Sequence, residues 1–372
     1  MQACARNCAL APRKCKYCWF TVMNAVLAAV GQSLPAASYV ISDQELMSIQ
    51  IFIPTFNRAA KLERAISSAL AQTWRELEVV VLDNHSTDDT EKVVRSFMDI
   101  DDRITYIKRD INIGMIANFN SIADHVTGDY FAILPDDDEY ESCFLEVAIA
   151  FFSKYEKIEF VACNALTKVG EIFVKSQLDY WGEGYYRANT ATMRCLLGHY
   201  PIITNCLFRA NLRKKLYFHP ELGNTGDGFI LTCLFAKYDA YVTKRVTGFW
   251  SNDGENASSL QKFNPISIVN VAISEYALYR EVCRRGEFSR KWLFLVLLKR
   301  DLTILLASDK AGFNHVFAHS CMQRELRRSS VWLLRFLHAV RLGRAFLWGL
   351  AMLRRHYHRY ISWCEKRREK CY

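Results

Sequence analysis

Leu77-Glu-Val-Val-Val-Leu-Asp-Asn-His-Ser-Thr-Asp-Asp-Thr90 is the stretch from which the fold can be read. Its largely apolar run, residues 77–82, continuous from Val79 to Leu82, predicts a strand covered on both faces, and the run breaks abruptly into a polar turn. Thr87-Asp-Asp-Thr90 then predicts the start of a helix carrying Val93, Val94 and Phe97. The same order repeats outward in both directions. Upstream, residues 49–55 form a short apolar run, followed by Leu62, Ile66, Ala69 and Leu70 at helical spacing. Downstream, 104–108 predicts a third strand, 115–125 a third helix and 130–134 a fourth strand. Apolar runs alternating with amphipathic helices predict an α/β fold, with a Rossmann-like, mostly parallel sheet and helical crossovers.

Ligands of such sheets bind beyond the carboxyl ends of the strands, so the residues found there decide the chemistry. The first strand ends in Pro54-Thr55-Phe56-Asn57-Arg58, and the second in Asp83-Asn84-His85-Ser86. After the third comes Asn112-Ile-Gly114, leading into a helix with Asn118 and Asn120. The fourth ends in Pro135-Asp136-Asp137-Asp138-Glu139. Hydrogen-bonding residues thus converge on one edge of one sheet. A carboxylate such as Asp83 can accept from the imide N–H of a nucleobase. It would equally serve as a turn residue, and 86–89 as a helix cap. Three adjacent carboxylates repel one another unless a cation lies beside them, and a hard divalent ion holding a diphosphate through oxygen is the simplest one.

These four stretches together resemble the nucleotide-binding half of family 2 glycosyltransferases of the GT-A fold, of the bacterial surface-polysaccharide type. The matching segments are Ile51-Phe-Ile-Pro-Thr-Phe-Asn-Arg58, residues 79–90, Asn112-Ile-Gly114 and Gly128-Asp-Tyr-Phe-Ala-Ile-Leu-Pro-Asp-Asp-Asp138. The resemblance implies inverting transfer of a sugar from a nucleotide-diphospho-sugar. It places Pro54, Thr55, Asn57, Asp83, Asn112 and Gly114 around the nucleotide, and the acidic triplet at ribose and metal, Mn2+ or Mg2+. Two registers stay open. A Leu-Asp-x-Asp-Asp reading puts Pro135 at the first Asp and makes Asp137 the metal ligand; an Asp-x-Asp reading makes Asp136 the ribose contact and Asp138 the ligand.

The resemblance also implies a general base at the start of a helix well downstream of the triplet. Gly223-Asn-Thr-Gly-Asp227-Gly-Phe matches that place, and Asp227 is the carboxylate of that turn. Between the two halves, 202–209 predicts a strand under the acceptor. Tyr180, Trp181, Tyr185 and Tyr186 form an aromatic stretch suited either to stacking on sugar faces or to packing. Residues 241–250 predict a further strand, followed by Asn252 and Asp253 in the region where the family places a phosphate-facing loop. The chain lacks Gln-x-x-Arg-Trp, the signature of processive polysaccharide synthases, so transfer of a single sugar is expected. Asn84-His-Ser86 and Asn256-Ala-Ser258 fit the glycosylation sequon by chance.

The 372 residues carry 51% apolar and 23% charged side chains, which excludes disordered, collagenous and coiled-coil chains. The net charge of +9 is unevenly placed: residues 287–372 hold 18 Lys/Arg against 6 Asp/Glu, leaving the first 286 at −3. Of 13 cysteines, Cys4, Cys8, Cys15 and Cys18 crowd the start, and the others are scattered singly, as expected of reduced thiols. The organisation expected is a leader over 1–46, disordered or preceding the true start, then a catalytic domain over 47–286. That domain divides into a nucleotide-binding half, 47–140, and an acceptor half, 141–286. A basic, amphipathic helical extension follows over 287–372. Arg335, Arg341 and Arg344 inside the apolar stretch 331–353 would cost about 2.5–3.5 kcal/mol each near mid-bilayer, so a helix lying on an anionic membrane fits better than a spanning one. A helical bundle or a subunit contact is the competing reading.

The partners expected are therefore a nucleotide-diphospho-sugar donor, a glycan or lipid-linked acceptor and an anionic membrane surface at the cytoplasmic, inner face of the plasma membrane. No nucleic acid is expected, and an oligomer is left open. A nucleotidyltransferase would bring a Gly-rich basic loop for a triphosphate, and 54–61 has no glycine. A non-catalytic membrane protein keeping the fold is the other alternative.

Overall fold

A computed structural model describes residues 47–169, 172–176, 178–252, 265–293, 296 and 303. The expected leader, Asp253, the sequon at Asn256 and the apolar stretch 331–353 lie outside the described residues. Ten strands among the described residues form one sheet in the order β3-β2-β1-β4-β9-β6-β10-β5, with β7 on β6 and β8 on β10. The strands are β1 Ile49–Thr55, β2 Leu77–Asp83, β3 Ile104–Lys108, β4 Tyr130–Ile133, β5 Glu139–Tyr140, β6 Phe160–Val169, β7 Ile172–Ser176, β8 Gly184–Tyr186, β9 Cys206–Arg209 and β10 Ala240–Ser251. β1 pairs in parallel with β2 and β4, β2 with β3, and β6 with β10, whereas β9 runs antiparallel to both β4 and β6. The expected α/β fold with a mostly parallel sheet is what the chain adopts.

Every residue of β1 is buried, because the pleat sends alternate side chains into two separate cores. Ile49, Ile51 and Ile53 join one, with Leu62, Ala65, Ile66 and Ala69 of α1 (Ala59–Leu70), Val94 of α2 (Thr90–Met98) and the apolar face of α5 (Phe144–Lys154). Phe52 joins the other, with Leu82, Phe131, Ile133 and Ile122 of α4 (Ile122–His125). Cys195 of α6 (Thr192–Leu196) and Ile230, Leu231, Leu234 and Phe235 of α7 (Gly226–Lys237) complete it. Burial on both faces is why the strands read as unbroken apolar runs.

Two expectations are corrected in detail. The helix over 115–125 divides at Ser121 into α3 (Met115–Asn120) and α4. Of the strand expected over 202–209, only β9 forms, since Ile203–Asn205 is a 3-10 turn. Of the two readings of the aromatic stretch, packing describes Trp181, fully buried against Phe235 and Tyr186, and Tyr185 and Tyr186, which pair with β10 through β8, while Tyr180 is exposed.

After α8 (Pro265–Arg284), the chain stays attached to the body. Phe288 and Val296 are buried with Tyr276 and Tyr279 of α8 and Phe229 of α7, and Glu287 pairs with Lys215 and Lys237. The described cysteines Cys143, Cys163, Cys195, Cys206, Cys233 and Cys283 are free thiols. Among the described residues, no helix is long and apolar enough to cross a membrane.

Candidate active site

Parallel register brings the strand ends level: Thr55 pairs with Asp83, and Asp83 with Lys108. Beyond them opens a cleft of about 680 Å³, a volume suited to a substrate-sized ligand. Pro54, Thr55, Arg58, Asn84, Asn112, Gly114 and Asn118 line it from the first three strand ends, and Asp136, Asp137 and Asp138 from the fourth. Tyr200, Ile202, Thr204, Phe218, Asp227 and Trp250 line it from the later part of the chain.

Two of the residues expected at the nucleotide do not line the cleft: Asp83 lies buried behind its wall, and Asn57 is exposed beside it. Asp83 is fully buried, and both of its carboxylate oxygens are taken: Oδ1 accepts from Ser86 N–H at 2.8 Å and Oδ2 from the Tyr106 hydroxyl at 2.6 Å. Burial and the Asp83 carboxylate both push the Tyr106 phenol up, which keeps it a donor. Asn57 takes a left-handed φ of 52°, and its Oδ1 accepts from Thr87 N–H at 2.8 Å. Its own N–H donates to Ser86 Oγ at 2.9 Å. Asp88 accepts from Ala59 N–H and from Thr90 N–H, so one carboxylate serves the first turns of α1 and α2. This polar stretch therefore braces the two strand ends against each other.

The cleft wall itself carries Asn84 and Asn112. Asn84 Nδ2 donates to Asn112 Oδ1 at 2.8 Å, and Asn84 Oδ1 accepts from Ile113 N–H at 2.9 Å. Gly114, at φ 85°, turns the chain into α3 in a conformation that disfavours any other residue. Asn118 Nδ2 donates to Leu82 O, and Asn120 exchanges two hydrogen bonds with the backbone of Phe218. That pair ties a loop of the later part of the chain to the end of α3.

The three carboxylates of the triplet differ. Asp136 Oδ2 accepts from the Thr55 hydroxyl at 2.8 Å, and Arg58 reaches Asp136 Oδ1 at 3.1 Å and Asp137 Oδ2 at 2.9 Å. Asp138 turns inward, where its oxygens accept from Thr204 Oγ1 and Ser251 N–H, both at 2.9 Å. Burial pushes Asp136 up to about 6 against the pull of Arg58. Burial and the neighbouring Asp137 push Asp138 up as well.

Asp227 sits in the first turn of α7, where Gly228 N–H donates to its Oδ1 at 2.7 Å. Burial pushes its carboxyl up to about 6 although the side chain opens onto the cleft. Tyr200 lies across the same turn so closely that a Cβ on Gly228 would stand 2.6 Å from its ring. Burial and the Asp227 charge push the Tyr200 phenol up.

Residues 50–217 match the sequence model of glycosyl transferase family 2. They form a family 2 glycosyltransferase domain. Within the curated relatives, the chain is 39% identical over 92 residues to the GalNAc(5)-diNAcBac-PP-undecaprenol beta-1,3-glucosyltransferase of Campylobacter jejuni, 24% of this chain and 30% of that one. It is 29% identical over 173 residues to WcaA of Escherichia coli, a glycosyl transferase named for colanic acid biosynthesis, 44% of this chain and 61% of that one. The matched part thus spans less than two thirds of either relative. In three dimensions the chain is similar to S. aureus TarS 1–349, solved in complex with UDP-GlcNAc, with a TM-score of 0.53 at 19% identity. That match covers 80% of this chain and 88% of TarS 1–349, and it shows the shared GT-A fold.

In this glycosyltransferase domain, sequence reading singled out neither Arg58 nor Asn84 individually, though both lie inside the quoted stretches. Thr204, Tyr200 and Trp250 belong to no motif, and Asn252 is held by Lys168 O through its backbone N–H at 2.8 Å.

Proposed function

We propose that the chain moves one sugar from a nucleotide-diphospho-sugar to a hydroxyl of a lipid-linked or polysaccharide acceptor, with inversion at the anomeric carbon. The observation that carries this reading is a single cleft holding both the strand-end carboxylates Asp136 and Asp137 and the half-buried Asp227. The acceptor oxygen forms its bond to the anomeric carbon as the bond from that carbon to the diphosphate oxygen breaks. The leaving electron pair goes to the diphosphate, and the hydroxyl proton goes to Asp227. A carboxyl near 6 is ionised at neutral pH and still basic enough to accept that proton. Tyr200 and Trp250, which line the cleft, supply aromatic faces for the sugar or acceptor.

Asp136 and Asp137, with Asp138 behind them, would hold Mn2+ or Mg2+, which when bound neutralises charge on the leaving diphosphate. Two carboxylates on the cleft fit an ion that completes its shell with phosphate oxygens and water. Among the described residues, no group of three or more His, Cys, Asp or Glu is arranged to hold a metal ion by itself. The chain is placed peripherally at the inner face of the plasma membrane, on the strength of the basic balance of residues 287–372.

The test is a donor panel led by UDP-GlcNAc, with Mn2+ and with excess chelator, read as nucleoside diphosphate released with and without a glycan or lipid-linked acceptor. Metal-dependent, acceptor-stimulated release is expected. Undiminished release in chelator contradicts the metal, and no release with any donor contradicts the transfer itself.

A further inference from the structure

The short helix α3 is tied to two separate parts of the cleft wall. Met115, Ile116, Asn118 and Phe119 line the cleft. Asn118 is buried and fixed at the end of β2: its Nδ2 donates to Leu82 O at 2.9 Å, and its Oδ1 accepts from Arg109 Nε at 3.0 Å. Two residues on, Asn120 reaches the later part of the chain. Its Nδ2 donates to Phe218 O at 2.8 Å, and its Oδ1 accepts from Phe218 N–H at 2.7 Å. One side-chain amide thus satisfies both backbone groups of a buried residue 98 positions away. The rings follow the backbone, since Phe218 meets Phe119 edge-on with centroids 5.3 Å apart. Phe218 in turn covers the start of α7. A Cβ on Gly226 would stand 3.6 Å from its Cδ1, and Asp227 is the next residue.

We infer that Asn120 is a positioning residue for Asp227: by holding Phe218 to α3, it fixes the first turn of α7 at a set distance from the strand ends. The inference rests on the reading of Asp227 as general base and deepens it. Asn120 touches no substrate in this scheme. It works through a run of direct contacts, from its amide to the Phe218 backbone, from the Phe218 ring to Gly226, and from there to Asp227. An apolar side chain at 120 would leave Phe218 N–H and O unpaired in a buried place, and both would have to turn to water. Phe218 would then leave Gly226, and the carboxyl of Asp227 would lose its aim. A displacement of about 1 Å is enough to cost on the order of 10²-fold in turnover. Nucleotide binding is spared, because the bonds of Asn118 to Leu82 and Arg109 keep α3 itself in place.

The test is steady-state turnover by the full chain with UDP-GlcNAc, or whichever donor of the panel above supports release, in wild type, Asn120→Leu, Asn120→Asp and Asn120→Gln. Asn120→Leu removes both hydrogen bonds and is expected to lower kcat about 10²-fold, with donor KM and nucleoside diphosphate affinity within about twofold of wild type. Asn120→Asp can still accept from Phe218 N–H but offers Phe218 O no donor, and is expected to lower kcat about tenfold. Asn120→Gln keeps both groups on a longer stem and is expected to recover most of the loss. A folded Asn120→Leu with kcat near that of wild type overturns the positioning role, and should that variant not fold, Asn120→Asp decides in the same way. A fall in kcat matched by an equal loss of nucleotide affinity also overturns it, since α3 itself would then have moved. Asp227→Asn, measured alongside, separates the two claims. If it turns over like wild type, or if wild type releases nothing from any donor, the proposed function fails and the inference with it. If Asp227→Asn is inactive while the Asn120 variants are unimpaired, the inference alone fails.

Discussion

Asp227 sets activity and stability against each other. Burial raises its carboxyl from an ordinary value of 3.8 to about 6, so at neutral pH the fold holds a charged group where a neutral one is preferred. Its contribution to stability is complete at pH below the ordinary value and is lost as pH rises through about 6. Two pH units would be worth roughly 3 kcal/mol if sealed; because the side chain opens onto the cleft, about 1 kcal/mol is expected. Asp227→Asn should therefore melt higher than wild type at pH 7.5, with the gain shrinking at pH 5, as thermal unfolding at the two pH values would check. Turnover by wild type should fall about tenfold per unit as pH drops below about 6, since the protonated carboxyl accepts nothing. Asn57 makes a second residue-scale case. Its left-handed φ of 52° and its bond to Thr87 N–H predict a loss of about 1–2 kcal/mol for Asn57→Ala, part of which Asn57→Gly restores by relieving the backbone. Denaturant midpoints of the two variants measure the difference. The motif positions of Asn57 and Asp83 were readable, but the partners that hold them were not. Tyr106, which closes off Asp83, lies 23 residues away on β3 and belongs to no motif.

At the scale of elements, α7 and its neighbours show why some of the chain reads well and some does not. β1, β2 and β4 are covered on both faces, so their apolar runs announce them. Residues 202–205 are also largely apolar, yet they turn as a 3-10 segment, because Tyr140 and Asp138 take up the backbone and side chain of Thr204. The aromatics at 180–186 look like a binding platform until β8 is seen to pair with β10, more than fifty residues on, which no local pattern conveys. Gly228 tests the packing at the base directly. A methyl there would meet the Tyr200 ring at 2.6 Å, and the backbone of α7 cannot retreat from its own core. Gly228→Ala is predicted to cost about 1–3 kcal/mol and to reduce turnover by displacing Tyr200, as paired melting and transfer assays would report.

Across the whole molecule, the parallel strands β1–β4 with their helical crossovers and the placing of motifs on one edge were legible, whereas the order β3-β2-β1-β4 comes from the structure. The boundary at 286 was set by composition, and packing ignores it. Phe288 and Val296 fill the same cluster as Phe229, whose helix carries Asp227. Ending the chain at Gly286 should therefore lower the melting temperature and weaken transfer even in detergent, whereas Phe288→Ala alone should cost about 3–5 kcal/mol. The account's central claim is that Asp227 takes the acceptor's proton during transfer of the sugar. Its most direct test is Asp227→Asn, measured for acceptor-dependent transfer and for nucleoside diphosphate affinity on the same preparation. Turnover about 10²- to 10⁴-fold lower, with nucleotide affinity within about twofold of wild type, is the predicted result. Turnover near that of wild type in a folded, nucleotide-binding variant would contradict it.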